Sequence, residues 1–284
     1  MATNQSARTW FITGASTGFG RLLAEELLKR GESVAATARN RATVSDLPRQ
    51  YPGKAEAFEL DVTKPLQINT VAREALEAFG HIDVLVNNAG YGLNGAIEEV
   101  SEEEFEHMFQ TNIYGLIRTT RAFLPHFRER RKGHIFNFSS IGGLIGTAGW
   151  GFYNTSKFAV EGFSEALAAE MKPLGVHVTV IEPGPFRTDF LGRSGKVAEQ
   201  EIPDYAGTAG KARDYLKTQS GRQPGDPQKA IEALIAAADS PHPPLHLILG
   251  KVALTRFRDK LSAWEKEIAA WEHYSAGADY PEDS

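Results

Sequence analysis

Short apolar, β-rich runs alternate with helical patterns along most of the chain, and this alternation restricts the fold more than any other feature. Most of the runs are nearly continuous in apolar residues, as expected for strands buried on both faces. Strands that alternate with helices predict βαβ units and a parallel sheet covered on both sides. We therefore expect an α/β chain with a doubly wound, seven-stranded parallel sheet, whose ligands bind at the carboxyl ends of the strands.

The elements of this prediction can be located from the pattern. The predicted strands are Thr9–Thr13, Ser33–Ala38, Ala55–Leu60, Ile82–Asn87, His134–Ser139, His177–Glu182 and Leu245–Leu249. The predicted helices are Gly18–Arg30, Thr63–Phe79, Ser101–Arg130, Trp150–Met171 and Pro227–Ala238.

Two segments fall outside the alternation, within what we expect to be a single domain over residues 1–284. The first, Phe186–Gly225, is long, polar and Gly-rich, with a short helix near Asp204–Gln219. A loop of this length is typical of a functional lid, here over residues 186–225. The second is a C-terminal extension over 251–284, with a helix at Lys251–His273 and a loose or partner-docked acidic tail at Ser275–Ser284. The apolar anchors of that helix are Phe257, Leu261 and Trp264.

Composition excludes several classes of function. The net charge of −5, from 31 basic and 36 acidic residues, argues mildly against a nucleic-acid partner. The chain contains no cysteine, so thiol catalysis, disulfides and Cys-based metal sites are excluded, and we expect no metal. The N-terminus lacks the pattern of a signal peptide, and the stretch from Ile135 to Phe152 is too polar and Gly-rich for a membrane span. A cytoplasmic protein is expected.

Three residues suggest acid–base chemistry: Tyr153, Lys157 four residues later, and Ser140 thirteen residues earlier. Positions four apart share one helix face, so the phenol and the ammonium are expected side by side. A nearby cation lowers the tyrosine pKa from about 10, which suits a general acid–base. A serine hydroxyl at a strand end could hold a substrate oxygen against the phenol. Alone, Tyr-x-x-x-Lys is usually an exposed helical pair, and Tyr114 with Arg118 is the nearest similar pair.

A Gly-rich stretch follows the first strand and opens the first helix. Its sequence is Thr13-Gly14-Ala15-Ser16-Thr17-Gly18-Phe19-Gly20. The glycines allow a close backbone approach to a phosphate, and the helix N-terminus supplies free N–H donors. The spacing is Gly-x-x-x-Gly-x-Gly and not the usual Gly-x-Gly-x-x-Gly. Such a loop alone is often a plain turn, but its place after the first strand of a βαβ chain favours a nucleotide site.

The end of the second strand bears on cofactor choice. NAD enzymes usually carry Asp or Glu about 20 residues beyond the glycines, to bind the ribose 2′-hydroxyl. No acid is present here, and Arg39 stands where a 2′-phosphate would lie. A guanidinium suits a phosphate through paired N–H donors, although most arginines are simply solvated at the surface. We therefore expect NADP(H), with NAD as the alternative.

With these motifs, the chain resembles the classical short-chain dehydrogenase/reductase family over roughly Thr9 to Leu249. The motifs that match, in the family's order and spacing, are the Gly-rich stretch Thr13–Gly20, Asp61-Val62, Asn87-Asn88-Ala89-Gly90, Asn112, Ser140, Tyr153, Lys157 and Pro183-Gly184-Pro185-Phe186-Arg187-Thr188. The resemblance implies a Rossmann-like fold and an oxidoreductase. Within the family the chain is most similar to carbonyl reductases and to hydroxysteroid or retinol dehydrogenases.

The resemblance implies catalytic roles for four residues. Tyr153 would donate a proton to a carbonyl oxygen or remove one from an alcohol, and Lys157 would lower its pKa and bind the nicotinamide ribose. Ser140 would polarise the substrate oxygen; its neighbour Ser139 is the rival but lacks the matching spacing. Asn112 would hold a water in a proton relay, or satisfy a helix kink, and these two roles are compatible.

The resemblance also implies a cofactor site. Two of its residues have structural alternatives, because Asp61 could cap a turn and Asn88 could stabilise the sheet. Thr188 would bind the carboxamide. The full predicted set is Gly14, Ser16, Thr17, Gly18, Phe19, Gly20, Arg39, Asp61, Val62, Asn88, Ala89, Gly90, Tyr153, Lys157, Pro183, Gly184, Phe186 and Thr188.

The predicted activity is the reversible, NADPH-dependent reduction of a ketone or aldehyde by a homodimer or homotetramer paired through Ser101–Arg130 and Trp150–Met171. The alternatives are an NADP(H)-sensing module without turnover and an NAD-preferring alcohol or steroid dehydrogenase. A hydrophobic carbonyl or alcohol substrate would contact Leu93, Ser140, Leu144, Tyr153, Phe186, Phe190, Leu191 and Tyr205. Phe186 stands where the family often has Val or Ile, and its ring could narrow the pocket or pack under the lid.

Overall fold

The computed structural model describes residues 7–192 and 195–280, apart from the side chain of Leu191, and confirms the predicted sheet. Seven parallel strands are ordered β3-β2-β1-β4-β6-β7-β9. Their bounds are β1 (Thr9–Ile12), β2 (Ser33–Ala38), β3 (Ala55–Glu59), β4 (Val84–Asn87), β6 (Gly133–Phe138), β7 (Val176–Pro183) and β9 (His246–Leu249). A separate pair of short parallel strands consists of β5 (Gly92–Asn94) and β8 (Gly195–Val197). The strand order reverses between β1 and β4, where doubly wound sheets bind their ligands.

Helices cover both faces of the sheet. They are α1 (Gly18–Lys29), α2 (Asp46–Gln50), α3 (Pro65–Phe79), α4 (Glu102–Phe109), α5 (Leu116–Arg130), α6 (Gly151–Met171), α7 (Lys211–Gln219), α8 (Pro227–Asp239) and α9 (Lys251–Ala276). One core cluster joins the sheet to α1 and α8, through side chains such as Leu23 and Leu234. The other joins it to α3, α5 and α6, for example through Val71, Phe123 and Leu167. The parallel strands are therefore buried on both sides, as their apolar sequences predicted.

The structure differs from the expected elements in four places. The predicted helix Ser101–Arg130 is interrupted at Gln110–Gly115 by a π-helical turn between α4 and α5. The strands β5 and β8 and the helix α2 were not predicted, because three to five residues are too few to show a period. Within the described residues, no helix combines the length and the apolar character needed to cross a bilayer.

Candidate active site

The predicted site residues meet at one edge of the sheet. The loops that follow β1, β4, β6 and β7 contain the Gly-rich stretch, Asn88–Gly90, Ser140 and Pro183–Thr188 respectively. All four strands are parallel, so their carboxyl ends lie together. Helix α6 then brings Tyr153 and Lys157 from its first two turns to the same edge.

Tyr153 is buried, and the half-buried Ser140 lies beside it. Tyr153 is only 7% exposed, and a Cβ added to Gly142 would lie 3.2 Å from Tyr153 Cε1 and 3.5 Å from Ser140 Oγ. Ser140 follows β6, and its Oγ accepts a hydrogen bond from the Gly142 backbone N–H at 3.0 Å, which orients the serine side chain. Burial raises the pKa of Tyr153 to about 12, although the hydrogen bond with Ser140 opposes this shift. The phenol therefore keeps its proton at neutral pH.

Lys157 does not have the expected effect on the tyrosine in this structure. Its Nζ donates a hydrogen bond to the Phe138 carbonyl at 2.8 Å and lies 5.8 Å from the centroid of the Tyr153 ring. Burial lowers the pKa of Lys157 to about 8, and the nearby Glu161 partly opposes that shift. We predicted a tyrosine pKa lowered by the ammonium; here the loss of hydration has the larger effect and raises it.

Asn112 lies in the π-helical turn, and its side chain is fully engaged. Its Nδ2 donates to the Tyr91 carbonyl at 2.9 Å and to Ser156 Oγ at 3.2 Å, and its Oδ1 accepts from the Tyr91 N–H at 3.0 Å. These contacts support the structural role considered for Asn112. The amide also lies near the lysine, because a Cβ added to Gly90 would lie 3.1 Å from Asn112 Oδ1 and 3.6 Å from Lys157 Nζ.

The two adjacent serines point to different neighbours. Ser139 is 4% exposed, and its Oγ donates to the Lys157 carbonyl oxygen in α6 at 3.4 Å. A Cβ added to Gly143 would lie 2.3 Å from that Oγ, so Ser139 faces the helix backbone. Ser140 is therefore the serine whose hydroxyl reaches Tyr153.

The Gly-rich loop has the geometry of an anion site. Gly14 and Gly18 have φ values of 69° and 57°, in the left-handed region that favours glycine. Thr17 caps α1 without a side-chain hydrogen bond, and no acidic residue lies in the first turn. The first N–H groups of α1 and its positive dipole end are therefore available to a phosphate. Gly20 has a different role, since a Cβ there would lie 2.5 Å from both Asn88 Nδ2 and Gly14 O.

Asn88 and Asp61 have the structural contacts that we considered as alternatives. Asn88 Nδ2 donates to the carbonyls of Thr13 and Gly14, each at 3.0 Å, and so holds the Gly-rich loop to β4. Asp61 Oδ1 accepts from the Thr63 N–H at 3.0 Å and the Thr63 hydroxyl at 2.7 Å, which caps a turn. Burial favours a higher pKa for Asp61, but the two bonds from Thr63 outweigh it and lower that pKa.

The remaining predicted cofactor residues lie around these two loops. Arg39 is exposed, and within the described part of the chain its side chain has no hydrogen bond or ion pair. Thr188 lies beside the Gly-rich loop, since a Cβ added to Gly18 would be 3.8 Å from Thr188 Cβ. Ser16, Ala89 and Gly184 lie on the loops after β1, β4 and β7, Phe19 lies in the first turn of α1, and Pro183 ends β7. Val62 packs against the π-helical turn at Gly115.

Phe186 is packed in the core. Its side chain is 8% exposed, and its ring makes an edge contact with Phe19, with 5.5 Å between the ring centroids. A Cβ added to Gly225 would lie 2.6 Å from the Phe186 ring. Of the two roles predicted for Phe186, these contacts support packing of its ring under the lid and not narrowing of the substrate pocket. Phe186 belongs to the core cluster that joins the sheet to α1 and α8.

An apolar wall surrounds Tyr153. Phe190 and Trp150 lie 5.5 Å and 5.6 Å from the tyrosine ring, measured between centroids, and they stack on each other at 6.4 Å. Leu93 belongs to the same buried cluster. Phe190 and Leu93 were predicted, but Trp150 was missed; an aromatic residue three positions before the tyrosine was the available signal.

Three other predicted substrate residues are placed differently. The Tyr205 hydroxyl donates to Glu98 Oε2 at 2.6 Å on the exposed side of the lid, so this contact joins the lid to the loop after β5. The Leu144 carbonyl accepts a hydrogen bond from Lys260 of α9. The side chain of Leu191 lies outside the described part of the chain.

The lid is more firmly held than its composition suggested. Arg213 and Glu99 are 6% and 2% exposed and form an ion pair at 2.8 Å, and Glu99 Oε1 accepts from the Ile202 N–H at 2.9 Å. The lid strand β8 also pairs with β5. We expected glycines and polar residues to supply little packing, but α7, which lies within the predicted helix Asp204–Gln219, buries Leu216.

A second group of titratable side chains lies where α6, β7 and β9 meet. His246 Nδ1 is 2.7 Å from Glu182 Oε1 and 3.6 Å from Glu161 Oε2, and both carboxylates are buried. Burial raises the pKa of Glu182, and the two carboxylates raise the pKa of His246 to about 10. At neutral pH the protonated imidazole supplies the positive charge of this cluster.

His246→Ala is expected to lower the free energy of unfolding by about 1–3 kcal/mol near pH 6.5, because two buried carboxylates lose their cation. His246 has a raised pKa in the folded state, so its stabilising effect is complete below about pH 6.5 and falls as the pH rises towards 10. Urea unfolding at pH 6.5 and pH 10 measures this, with the exposed His242→Ala as control. If the two variants lost equal free energies of unfolding, or if the loss in His246→Ala grew with pH, the raised pKa of His246 would be contradicted.

A doubly wound parallel sheet with a Gly-rich turn at its switch point, beside the group of Ser140, Tyr153 and Lys157, defines an oxidoreductase of the Rossmann type. The chain belongs to the short-chain dehydrogenase family: the family model described as short chain dehydrogenase matches residues 8–198. This confirms the family that the sequence motifs indicated.

Relatives cover nearly the whole chain. It is 35% identical to a 3-ketodihydrosphingosine reductase of Bacteroides thetaiotaomicron, over 89% of this chain and 91% of the relative. It is 33% identical to human retinol dehydrogenase 8, over 84% and 80% of the two chains. A solved short-chain dehydrogenase from Streptomyces avermitilis has 41% identity and a TM-score of 0.91, covering 98% of this chain and all of that one (100%).

Proposed function

We propose that this chain reduces hydrophobic ketones or aldehydes to alcohols, reversibly, with NADPH as the reductant. The observation that carries the proposal is the buried Tyr153, which lies beside the half-buried Ser140 and an apolar wall of Trp150, Phe190 and Leu93. Two hydroxyls can bind one carbonyl oxygen, while apolar side chains exclude water from it. A pocket of this kind suits a polar reacting group on a hydrophobic molecule.

Tyr153, Ser140 and Lys157 have different roles in the reduction. When bound, the dinucleotide supplies the hydride that reduces the carbonyl carbon. Tyr153 is protonated at neutral pH, since its pKa of about 12 lies well above 7, and it has that proton to donate to the oxygen. Ser140 donates to the same oxygen and stabilises the charge that develops there. Lys157, with a pKa lowered to about 8, holds a proton that can be passed on.

The loops at the sheet edge fit a dinucleotide with a 2′-phosphate. The uncapped N-terminus of α1 would receive the diphosphate, and the free guanidinium of Arg39 would receive the 2′-phosphate. The buried Ala38, one position earlier, is where an NAD-specific relative would carry an acid. These features favour NADP(H) over NAD.

The double change Ala38→Asp with Arg39→Leu is expected to shift the preference towards NADH. Removing a charge-assisted contact costs about 1.5–3 kcal/mol, roughly ten- to a hundredfold in affinity, and the new carboxylate adds repulsion. The measurement is the ratio of kcat/KM for NADPH to that for NADH.

Two single variants support this test. Arg39→Leu avoids placing a carboxylate at the buried Ala38 and should lower the ratio by itself, whereas the control Arg49→Leu, at another exposed arginine, should not. A wild-type preference for NADH, or a ratio that Arg39→Leu leaves unchanged, would refute the role of Arg39.

The names of the relatives support the substrate class. 3-Ketodihydrosphingosine and retinol are both hydrophobic molecules, one with a ketone and the other with an alcohol. We therefore test NADPH oxidation with long-chain 3-keto compounds, retinoid aldehydes and steroid ketones, and use short hydrophilic ketones as controls. Turnover of the hydrophobic set at higher kcat/KM supports the proposal. NADPH binding without turnover of any carbonyl would instead favour a sensing module.

We also propose a cytoplasmic homodimer or homotetramer that pairs through α4, α5 and α6. Two large side chains on these helices and the turn between them are uncovered, since Tyr114 is 47% and Phe158 42% exposed. Sedimentation at micromolar concentration tests this assembly. The negative net charge gives no support for a nucleic-acid partner.

A further inference from the structure

The last helix, α9, leaves the body of the protein. Its first turns are held to the body, because Ala253 is buried, Arg256 Nη2 donates to Thr147 Oγ1 at 2.9 Å, and Lys260 Nζ donates to the Leu144 carbonyl. From Leu261 to Tyr280 every residue is exposed. About four turns of helix therefore project beyond the body.

An apolar stripe runs along this projecting helix. Its members are spaced alternately three and four residues apart, which is the a/d pattern of paired helices. They are Leu254, Phe257, Leu261, Trp264, Ile268 and Trp271. The exposed fraction rises from 37% at Leu254 to 64% at Trp271, so the stripe is uncovered where the helix is free. Its a positions are all aliphatic and its d positions are all aromatic.

The charges of α9 are arranged against its own dipole. Basic side chains such as Arg256, Arg258 and Lys260 lie in the N-terminal half, and Glu265, Glu267 and Glu272 lie in the C-terminal half. A single helix is stabilised by the opposite arrangement, with acids near its N-terminus and bases near its C-terminus. An antiparallel helix of the same sequence would place each basic half against an acidic half.

We propose that α9 pairs antiparallel with α9 of a second copy of this chain, about a two-fold axis. In antiparallel pairs an a residue packs against a d residue, so each aliphatic side chain would meet an aromatic one. Leu254 would meet Trp271 of the second copy, and Leu261 would meet Trp264. The two-fold axis repeats every contact, as in other isologous interfaces.

Charge selects this register over its neighbour. Around an axis between Leu261 and Trp264, Arg258 lies opposite Glu265 of the second copy, and Lys260 lies opposite Glu267. If the axis lay instead between Trp264 and Ile268, Glu265 and Glu267 would each lie opposite the same residue of the second copy. The like charges would then repel each other. Lys260 already donates to Leu144, but an ammonium has three donors and can serve both contacts.

Single cysteine variants test the pairing cleanly, because the chain contains no cysteine. Leu254→Cys and Trp271→Cys lie about 25 Å apart along one helix, too far for a disulfide within it. After mild oxidation, each variant alone should remain unlinked, and a mixture of the two should give a disulfide-linked dimer on a non-reducing gel. Both side chains are exposed, so neither change should disturb the fold.

Every outcome bears on the proposal. Linking of either single variant to itself would indicate parallel pairing, and an unlinked mixture would exclude this interface; both results overturn it. In the mixture, adding Arg258→Glu to each variant should lower the linked fraction several-fold, and Glu265→Arg added with it should restore linking. Loss of linking in favour of flotation with anionic lipid vesicles would identify a membrane-binding helix instead and also overturn the proposal.

Discussion

Tyr153→Phe is expected to lower the rate of carbonyl reduction by about 100- to 10,000-fold, the usual contribution of general acid–base catalysis. The change removes only the hydroxyl, while the ring keeps its contacts with Trp150 and Phe190. Because the phenol holds its proton through the neutral range, the wild-type rate of reduction should be insensitive to the titration of Tyr153 near pH 7. The measurement is the single-turnover rate of NADPH oxidation with a saturating hydrophobic ketone.

The matched control is Tyr114→Phe, in the similar but exposed pair with Arg118. It should retain the wild-type rate, and both variants should bind NADPH as the wild type does. If Tyr153→Phe keeps a tenth of the wild-type rate while chemistry limits turnover, Tyr153 is not the acid.

Ser140→Ala is expected to lower kcat by about 100- to 1000-fold, the usual effect of losing one hydrogen-bond donor to a developing oxyanion. Its hydroxyl also opposes the rise in the pKa of Tyr153, so the substitution removes that effect on the phenol as well. The comparison is with Ser139→Ala in the same assay, at saturating NADPH and carbonyl substrate.

Ser139→Ala should have the smaller effect, because its hydroxyl contacts the Lys157 carbonyl and not the phenol. That variant is the control for losing a buried serine hydroxyl at the same strand end. A larger loss of kcat in Ser139→Ala than in Ser140→Ala would mean that the other serine serves the substrate oxygen.

The fold could be predicted because its signals are local. Seven apolar runs separated by amphipathic stretches leave few arrangements other than a doubly wound parallel sheet, which the structure confirms. The places where the prediction was incomplete are short or irregular. The π-helical turn at Gln110–Gly115 depends on the contacts of Asn112 with Tyr91 and Ser156, which lie far away in the sequence.

The sequence by itself determined the sheet, the family and the group of Ser140, Tyr153 and Lys157, because these follow from period, order and spacing, but it did not indicate Trp150 beside the tyrosine. Only the tertiary structure decided how those residues interact. Burial, which no spacing reveals, raises the pKa of Tyr153 where a neighbouring cation predicted the reverse. Long-range packing also decided that Phe186 lies in the core, that Glu99 and Arg213 hold the lid, and that α9 projects from the body. These features depend on contacts between side chains that are far apart in the sequence. Those contacts decide which side chains are removed from water and which remain exposed.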